Sequence, residues 1–327
     1  MQQSLRSVGF ALCALCAVFS LAAADASAQQ WPAKSIRFIS PYAPGGGSDI
    51  LARGIGQKLS ENLGVPVIID NRPGAGGVIG TEIVTKAPPD GYTLMLGTPA
   101  PITVAPSLMK KMPYDPLRDL TPITLVSIVP AVVAVHPSVP AKSIKELVAL
   151  ARARPGQVTY SSSGNGGTAH LSGLMLQTMA GIDITHVPYR GTGPALTAAM
   201  SGEVTFTAGN IISSLPMVKA GRVRALAVTS EKRSPVLPEV PTVAETIPGY
   251  AAGPFYGVLG PGHMPAELVS RIRSEIVKIL HAPEMKNRLS AEGGEPIGST
   301  PEVYAAMIRT ETERWGKVIR EAKILPE

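Results

Sequence analysis

The sequence predicts an α/β protein of two lobes that enclose a ligand cleft. Short β-branched runs alternate with helical patterns, this alternation occurs in two serial blocks of similar size, and a mostly helical segment follows from about residue 256. The chain has 327 residues, of which 45% are hydrophobic, which is enough for two domains. Because open α/β sheets bind ligands outside the carboxyl ends of their strands, we expect a site in the loops at those ends.

The N-terminal segment has the features of a secretory signal peptide. Arg6 precedes an apolar run over residues 8–24, and residues 26–28 read Ala-Ser-Ala, a sequence that signal peptidase accepts. We predict a signal peptide over residues 1–28, a mature chain that begins at Gln29, and export to the periplasm. A membrane anchor is the alternative, but it needs about 20 apolar residues, and Asp25 ends this run early.

Composition excludes several kinds of site. The two cysteines, Cys13 and Cys16, both lie in the predicted signal peptide, so the mature chain has no disulfide, thiolate nucleophile or cysteine-bound metal. The histidines lack metal-ligand spacing, and no G-x-S-x-G motif occurs. The net charge of +6 is spread along the chain, which does not indicate nucleic-acid binding. We expect a monomer without metal, cofactor or enzymatic activity.

The first block contains three strands and two helices. The strands are predicted at residues 36–39, 67–69 and 93–96. One helix follows from about Ser48, and the other spans about residues 79–86.

The second block repeats this pattern and leads to the helical tail. Ser143 with Glu146 predicts a capping box at the start of a helix. Pro265 is expected at the first position of a tail helix, and Thr300-Pro301 at the start of the last one. We expect mainly parallel sheets. The other predicted elements are strands at 131–135, 158–161, 184–187, 204–207, 224–228 and 256–259, and helices from about 168 and over 195–201.

The loop Pro41–Asp49 is the first candidate ligand site. Its three consecutive glycines, Gly45–Gly47, let the backbone approach a ligand closely. The N-terminus of the following helix offers unpaired N–H groups to a carboxylate or phosphate. Asp49 is expected to cap its own helix and hold the loop. A tight turn before a capped helix, without a ligand, is the alternative.

The loop Ser161–His170 occupies the equivalent place in the second block. It again joins a strand to a helix N-terminus and adds several hydroxyls. His170 either meets the ligand or packs against the sheet. The loop also matches the dinucleotide fingerprint G-x-G-x-x-A, but the next strand ends in Val187–Arg190 without the acidic residue that a ribose requires. Two facing helix N-termini therefore predict an anion clamp rather than a nucleotide site.

A third glycine-rich loop, Asn71–Gly77, is a candidate extension of the cleft wall. Within it, Arg72 either forms a fork with a ligand carboxylate or is a structural arginine that bonds loop carbonyls.

Three motifs in this order resemble the Bug/TctC family. They are P-Y-A-P-G-G-G-S-D at Pro41–Asp49, N-R-P-G-A-G-G-V-I-G at Asn71–Gly80 and P-D-G-Y-T-L-M-L at Pro89–Leu96, and the similarity continues through Gly293–Pro301. This family comprises the periplasmic receptors of tripartite tricarboxylate transporters. The resemblance implies a type II periplasmic binding protein, with two α/β lobes joined by a double-crossing hinge. Lobe 1 would comprise residues 29–128 and 251–327, and lobe 2 residues 129–250.

The resemblance also implies a ligand, a partner and site residues. The ligand would be a small carboxylate, such as a di- or tricarboxylate, an acidic amino acid or an aromatic acid, and the partners would be membrane transporter subunits. Main-chain groups and waters at the two glycine loops would do most of the binding. The ligand-binding residues implied in this way are Tyr42, Ala43, Gly46, Gly47, Ser48, Thr98, Ser163, Gly164, Gly167, Thr168, His170 and Asn210.

Three positions depart from the family pattern. Relatives usually carry an acidic residue where this chain has Thr205 and a Phe-Asp-Asn sequence where it has Ala208–Asn210. A tryptophan commonly precedes the glycine that matches Gly257, where this chain has Phe255-Tyr256. We expect the loss of acidic residues near the pocket to favour a more anionic or more apolar ligand. Two other functions stay open at this stage, a sensor partner of a membrane signalling kinase and an enzyme.

Overall fold

A computed structural model describes residues 31–250, 252–291, 293–321 and 324. The predicted signal peptide, residues 1–28, lies outside these residues. The described chain forms two sheets, one of 6 and one of 5 strands, with helices packed against both. We call the part built on the first sheet lobe 1 and the part built on the second sheet lobe 2. Among the described helices, none is long and apolar enough to cross a membrane.

Lobe 1 combines strands from both ends of the chain. Its sheet has the order β11-β4-β10-β3-β1-β2. The strands are β1 (Ile36–Ser40), β2 (Val67–Asn71), β3 (Thr93–Gly97), β4 (Leu120–Ile128), β10 (Phe255–Pro261) and β11 (Glu295–Pro296). The helices are α1 (Gly47–Leu63), α2 (Val78–Thr85), α3 (Ala105–Leu108), α8 (Ala266–His281), α9 (Pro283–Ala291) and α10 (Pro301–Glu321).

Lobe 2 is one continuous stretch of chain. Its sheet has the order β7-β6-β8-β5-β9. The strands are β5 (Ala131–Val135), β6 (Thr159–Ser162), β7 (Thr185–Pro188), β8 (Phe206–Asn210) and β9 (Arg224–Val228). The helices are α4 (Ile144–Ala153), α5 (Thr168–Ala180), α6 (Thr192–Ser201) and α7 (Ile211–Lys219).

The chain crosses between the lobes twice, and the two crossings are hydrogen-bonded to each other. The first crossing joins β4 to β5, and the second returns from β9 to β10. The Val129 N–H donates to the Pro254 carbonyl (3.1 Å), and the Thr229 N–H donates to the Ala131 carbonyl (2.9 Å). The Thr229 hydroxyl in turn accepts from the Ala131 N–H at 2.9 Å. The crossings thus form a short two-stranded connection. The lobe boundaries predicted at 128/129 and 250/251 remain predictions. All strands of the first sheet lie before residue 129 or after residue 250, and all strands of the second sheet lie between these boundaries.

The expectation of mainly parallel sheets is wrong. Parallel pairing occurs between β1 and its neighbours β2 and β3, and between β6 and its neighbours β7 and β8. In contrast, β10 is antiparallel to β3 and β4, and β5 is antiparallel to β8 and β9. A helical crossover makes the next strand parallel, whereas β5 and β10 enter their sheets directly from the other lobe. The double crossing therefore adds antiparallel strands to both sheets.

Several local features differ from the predictions. Strands β4 and β11 and helices α3, α7 and α9 were not predicted. The Ser143 hydroxyl accepts from the Glu146 N–H as expected (3.2 Å), but the Glu146 carboxylate accepts from the Lys142 N–H instead of completing the capping box. Pro265 is the residue before α8 rather than its first residue. Its fixed φ of −57° suits this position as well.

Candidate functional site

A cavity lies between the lobes, at the carboxyl ends of strands from both sheets. It holds about 480 Å³ of space free of protein atoms, including its mouth. Its lining comes from both lobes: Tyr42, Ser48, Thr98, Pro99, Ala100, Ser163, Thr168, Ala169, Thr192, Ala195, Thr207, Ala208, Gly209, Asn210, Pro254 and Tyr256.

The lining is polar but carries no formal charge. None of the lining residues is an aspartate, glutamate, lysine, arginine or histidine. Eight of the lining residues carry a hydroxyl group, and Asn210 adds a side-chain amide. A ligand in this cavity therefore meets hydrogen-bond donors and dipoles rather than ion-pair partners. Any charged group that it carries must be stabilised by those dipoles.

Three helix N-termini border the cavity without side-chain caps. Helices α1, α5 and α6 begin after Gly46, Gly167 and Gly191, and no side chain caps any of them. The first-turn N–H groups of a helix have no intrahelical acceptor, and the aligned peptide dipoles place a partial positive charge there. Ser48, Thr168 and Thr192, which line the cavity, belong to these first turns. The cavity is therefore suited to an anion.

The first glycine loop is held in place by Asp49. The Asp49 carboxylate accepts from the Gly45 N–H (3.0 Å) and forms an ion pair with Arg53 (3.0 Å). The Asn71 amide bridges the same carboxylate (3.0 Å) to the Tyr42 carbonyl (3.0 Å). Burial alone would raise the pKa of Asp49, but the hydrogen bonds from Arg53, Gly45 and Asn71 outweigh it and lower the pKa. Asp49 therefore fixes the loop, as expected, but the prediction that it caps its own helix is wrong, because its carboxylate accepts from Gly45, which precedes the helix. Asp49 is not among the lining residues.

The second glycine loop is held by a pair of histidines. The His170 Nδ1 accepts from the Gly166 N–H at 3.0 Å. The His186 Nε2 lies 2.6 Å from the Ser162 hydroxyl, which also accepts from the Gly164 N–H at 3.1 Å. The two imidazole rings stack with their centroids 4.1 Å apart. One histidine therefore supports each end of the loop.

Both imidazoles of this pair are neutral at physiological pH. Burial lowers the pKa of His170 to about 4. Burial, together with repulsion from a charged His170, lowers the pKa of His186 to about 3. A protonated Nδ1 could not accept from Gly166, so the loop contact requires the neutral ring. His170 also lies outside the cavity lining, which favours the packing alternative over direct ligand contact.

Tyr42 and Thr98 form one buried hydroxyl pair on the lobe 1 side. The Tyr42 hydroxyl donates to the Gly76 carbonyl (3.1 Å) and lies 3.0 Å from the Thr98 hydroxyl. Burial raises the pKa of Tyr42 to about 12, although the Thr98 hydrogen bond opposes the shift. Tyr42 is therefore a neutral phenol that ties β1, β3 and the third glycine loop together.

Asn210 connects the lobes across the cavity. Its Oδ1 accepts from the Ser213 N–H (3.1 Å), which caps α7, and its Nδ2 lies 2.9 Å from the Tyr256 hydroxyl. Asn210 belongs to lobe 2 and Tyr256 to lobe 1. A Cβ added to Gly47 would lie only 2.4 Å from the Asn210 Nδ2. The absence of a side chain at Gly47 is thus what lets Asn210 reach lobe 1.

Backbone contacts close the cleft on both sides of the cavity. The Ala43 N–H donates to the Arg190 carbonyl of lobe 2 (3.2 Å). On the other side, a Cβ on Gly76 would lie 2.4 Å from the Asn165 carbonyl, and one on Gly164 would lie 3.3 Å from the Gly76 Cα. The structure therefore shows a closed cleft, in which glycines permit close contact between the lobes.

The structure brings six of the predicted site residues to the cavity. These are Tyr42, Ser48, Thr98, Ser163, Thr168 and Asn210. The other six support the site from outside the lining: Ala43 bonds the other lobe, Gly46 and Gly167 precede the helices, Gly47 accommodates Asn210, Gly164 contacts Gly76, and His170 supports its loop.

Sequence analysis missed Thr192 and did not assign Tyr256 to the site. Thr192 follows Gly191 at the start of α6, so the rule that identified the other two loops, a glycine before a helix at a strand end, would have found it. Tyr256 appeared only as a departure from the family pattern. Its place in the cavity depends on the pairing of β10 with β3 and β4, which the sequence does not show.

Arg72 has a structural role. Its Nε donates to both oxygens of Asp70, at 2.9 and 3.0 Å, and Asp70 also pairs with Arg37 at 2.6 Å. Arg72 thus bonds a carboxylate of its own chain, rather than loop carbonyls or the cavity. In the described part of the chain, no group of three or more histidine, cysteine, aspartate or glutamate residues is placed to hold a metal.

Known proteins similar to this chain are binding proteins. Residues 51–324 match a family profile described as "Tripartite tricarboxylate transporter family receptor". Protein BugT of Bordetella pertussis is 37% identical over 301 residues, which cover 91% of this chain and 92% of BugT. An R. palustris protein solved with adipate has a TM-score of 0.88 and 38% identity, with 91% of this chain and 100% of that one covered. MatC from Rhodopseudomonas palustris with bound malate has a TM-score of 0.85 and 30% identity, with 88% and 100% covered.

Proposed function

The chain belongs to the tripartite tricarboxylate transporter family of receptors, and on that premise we propose that it captures a small dicarboxylate in the periplasm and delivers it to membrane transporter subunits. The family that the motifs predicted is thereby confirmed. Its members and the similar structures are binding proteins rather than enzymes, which also confirms the expectation of a non-enzyme.

The observation that carries the proposal is the uncharged cavity with three uncapped helix N-termini. A carboxylate needs partial positive charge and N–H or O–H donors, and α1, α5 and α6 supply both. Hydroxyls from Ser163, Thr168 and Thr192 add donors on the lobe 2 side. Because these donors lie on both lobes, a ligand with a carboxylate at each end has a partner on each side.

The bound ligands of two similar structures agree with this class. One is described with adipate and the other with malate, and both ligands are dicarboxylates. The identities of 38% and 30% leave room for a different chain length or substituent in this protein. We therefore propose that this chain binds a ligand of the same class, a dicarboxylate, and we do not assign a particular ligand.

The lining also argues against an amino acid as the preferred ligand. An ammonium group in a buried site needs a carboxylate or several carbonyl acceptors, and no acidic side chain lines this cavity. Gly209 lines the cavity, where the resemblance to the family implies an aspartate. We propose that a dicarboxylate without an ammonium group, such as succinate, binds more tightly than aspartate, which differs from succinate only by that group.

Capture requires the lobes to open and close around the ligand. The contacts across the cleft, such as that of Ala43 with Arg190, can form only in the closed state. A ligand that bridges the lobes binds the closed state better than the open one, and this difference in affinity is what shifts the equilibrium. The closed surface is then the form that the transporter subunits would recognise.

A thermal-shift screen of residues 29–327 against carboxylates and amino acids tests the capture step. A ligand at 100 times its dissociation constant should add roughly 2.7 kcal/mol to the free energy of unfolding. We expect stabilisation by at least one of succinate, malate and adipate, and less by aspartate. No stabilisation by any of these three dicarboxylates would contradict the proposal.

Delivery is tested separately, with labelled ligand and vesicles that carry the transporter subunits. We expect the vesicles to take up ligand only when the receptor is present, and the rate of uptake should saturate as the receptor concentration rises. Capture without receptor-dependent uptake would remove the transport part of the proposal and leave the binding part.

A further inference from the structure

Tyr256 lies on strand β10, at the lobe 1 side of the cavity. Its side chain is 3% exposed, and it lines the cavity. We propose that Tyr256 is a specificity-determining residue, whose hydroxyl donates a hydrogen bond to one carboxylate of the ligand. This inference rests on the proposed function, because it concerns the ligand of the same cavity.

The first step is the orientation of the Asn210 amide. The Ser213 N–H is a donor in every protonation state, and it points at one end of that amide from 3.1 Å. That end must therefore be the oxygen. The Ser213 hydroxyl is at hydrogen-bond distance from the same atom, at 3.2 Å. The helix cap thus fixes which atom of Asn210 is nitrogen, so the orientation does not depend on the choice of amide flip.

The second step follows from the first. The Asn210 Nδ2 faces the Tyr256 hydroxyl at 2.9 Å, and an amide NH₂ can only donate. The Tyr256 oxygen is therefore the acceptor in this bond, and its own hydrogen points elsewhere. No other described residue forms a hydrogen bond with the Tyr256 hydroxyl. The hydrogen is thus available to a group in the cavity.

The neighbouring hydroxyls do not offer the same donor. The Tyr42 hydrogen is directed to the Gly76 carbonyl, which can only accept. The Thr98 hydroxyl, 3.0 Å from the Tyr42 oxygen, must then donate to Tyr42. Both hydrogens are used within the protein, so Thr98 can accept from a ligand but not donate to it. Of Tyr42, Thr98 and Tyr256, only Tyr256 therefore has a hydroxyl hydrogen that it can donate to an anion in the cavity.

Burial keeps Tyr256 a donor at physiological pH. Desolvation, with a smaller contribution from Tyr42, raises the pKa of its phenol above the ordinary value. A phenol in a dry site donates to a carboxylate in a charge-assisted bond, which is roughly twice as strong as a bond between neutral groups. The tyrosine therefore sets where a second carboxylate is recognised.

The test is the variant Tyr256→Phe, which removes the hydroxyl and keeps the ring. The probes are adipate and hexanoate, which share a six-carbon chain and differ by one carboxylate. Titration calorimetry should show adipate affinity weakened roughly 10- to 100-fold, in line with the loss of a hydrogen bond to a charged group. Hexanoate affinity should change less than about threefold, because its single carboxylate can occupy the helix N-termini.

The matched control is Tyr304→Phe. Tyr304 is another fully buried tyrosine of lobe 1, it lies against Gly257 next to Tyr256, and its hydroxyl has no hydrogen-bond partner. Removal of this hydroxyl should leave both affinities unchanged.

The outcomes separate this inference from the proposed function. If the wild-type protein binds adipate and Tyr256→Phe binds it within about twofold of wild type, the donor role is wrong and the proposed function stands. If adipate and hexanoate weaken equally in the variant, Tyr256 acts only through Asn210, and the donor role is again wrong. If the wild-type protein binds none of adipate, malate and succinate, the proposed function fails, and this inference fails with it.

Discussion

The Asn210 Nδ2 lies 2.9 Å from the Tyr256 Oη, and this hydrogen bond joins lobe 2 to lobe 1 between two residues that line the cavity. The same Asn210 caps α7 through its Oδ1. One side chain thus links the closure of the cleft to the start of α7.

Replacement of Asn210 with alanine should weaken ligand binding and lower stability together. The loss of the helix cap costs about 1 kcal/mol of the free energy of unfolding. The loss of the hydrogen bond across the cleft destabilises the closed state by about 1 kcal/mol, which corresponds to an affinity roughly fivefold weaker. Urea unfolding and calorimetric titration measure the two effects.

Ser143→Ala is the matched control for that variant. Ser143 caps α4 in the same way, through a 3.2 Å bond from the Glu146 N–H, but it lies away from the cavity lining. The control should lose a similar amount of stability and no affinity. Equal affinity loss in both variants would show that lower stability alone weakens binding.

Gly47→Ala should weaken binding without destabilising the fold. The new Cβ would lie 2.4 Å from the Asn210 Nδ2, so the Asn210 amide must leave its place when the cleft closes. Alanine favours helices more than glycine does, so the free energy of unfolding should stay the same or rise. We expect affinity at least about tenfold weaker, that is, a loss of about 1.4 kcal/mol.

A double-mutant cycle checks the cause of this loss. In an Asn210→Ala background the clash is absent, so Gly47→Ala should have little further effect on affinity. Additive losses would mean that Gly47 matters for another reason, such as direct ligand contact with its N–H group.

The His170 and His186 pair should make stability depend on pH. The pKa of His170 is about 4 and that of His186 about 3 in the folded protein, against roughly 6.5 in an unfolded chain. Between pH 6.5 and about 4 the unfolded state therefore binds more protons, and stability falls as pH falls. The slope is at most about 1.4 kcal/mol per site and pH unit.

The double variant H170N/H186Q isolates this contribution, because asparagine and glutamine keep a hydrogen-bonding group at similar positions and do not titrate. When the pH is lowered from 7 to 5, the free energy of unfolding of this variant should decrease less than that of the wild type. Above pH 7 the pH dependence of the two proteins should be parallel. Identical profiles over the whole range would refute the assignment of neutral, buried imidazoles.

Arg72→Ala should leave ligand affinity within about twofold of wild type. Its guanidinium pairs with Asp70, and Arg72 is not among the residues that line the cavity. The same titration measures it, and a loss of tenfold or more would restore Arg72 as a carboxylate ligand.

Local signals in the sequence predicted much of the fold, and their failures have physical causes. Strand β4 contains Pro122, and α7 contains Pro216. Proline inside a run argues against a central strand or a helix interior, so neither element was predicted. Tertiary packing overrides these local costs, because β4 lies between β10 and β11 and α7 begins at a strand end with an asparagine cap.

The candidate site was predictable only where it follows from local rules. Gly46 and Gly167 precede helices at strand ends, and this pattern located two walls of the cavity. The bond between Asn210 and Tyr256 joins residues 46 positions apart in different lobes. That contact depends on the double crossing of the chain, which cannot be predicted from the hydrophobic periodicity of the sequence. The proton positions that single out Tyr256 likewise depend on distances that only the structure provides.

The most direct test of the central claim compares a dicarboxylate with its diamide of the same length. Adipate and adipamide have nearly the same shape, so calorimetric titration of both into the wild-type protein isolates the contribution of negative charge. If helix N-termini in an uncharged cavity bind the ligand, adipate should bind at least about 100-fold more tightly, a difference of about 2.7 kcal/mol. Equal affinity for the two compounds, or tighter binding of adipamide, would contradict the account.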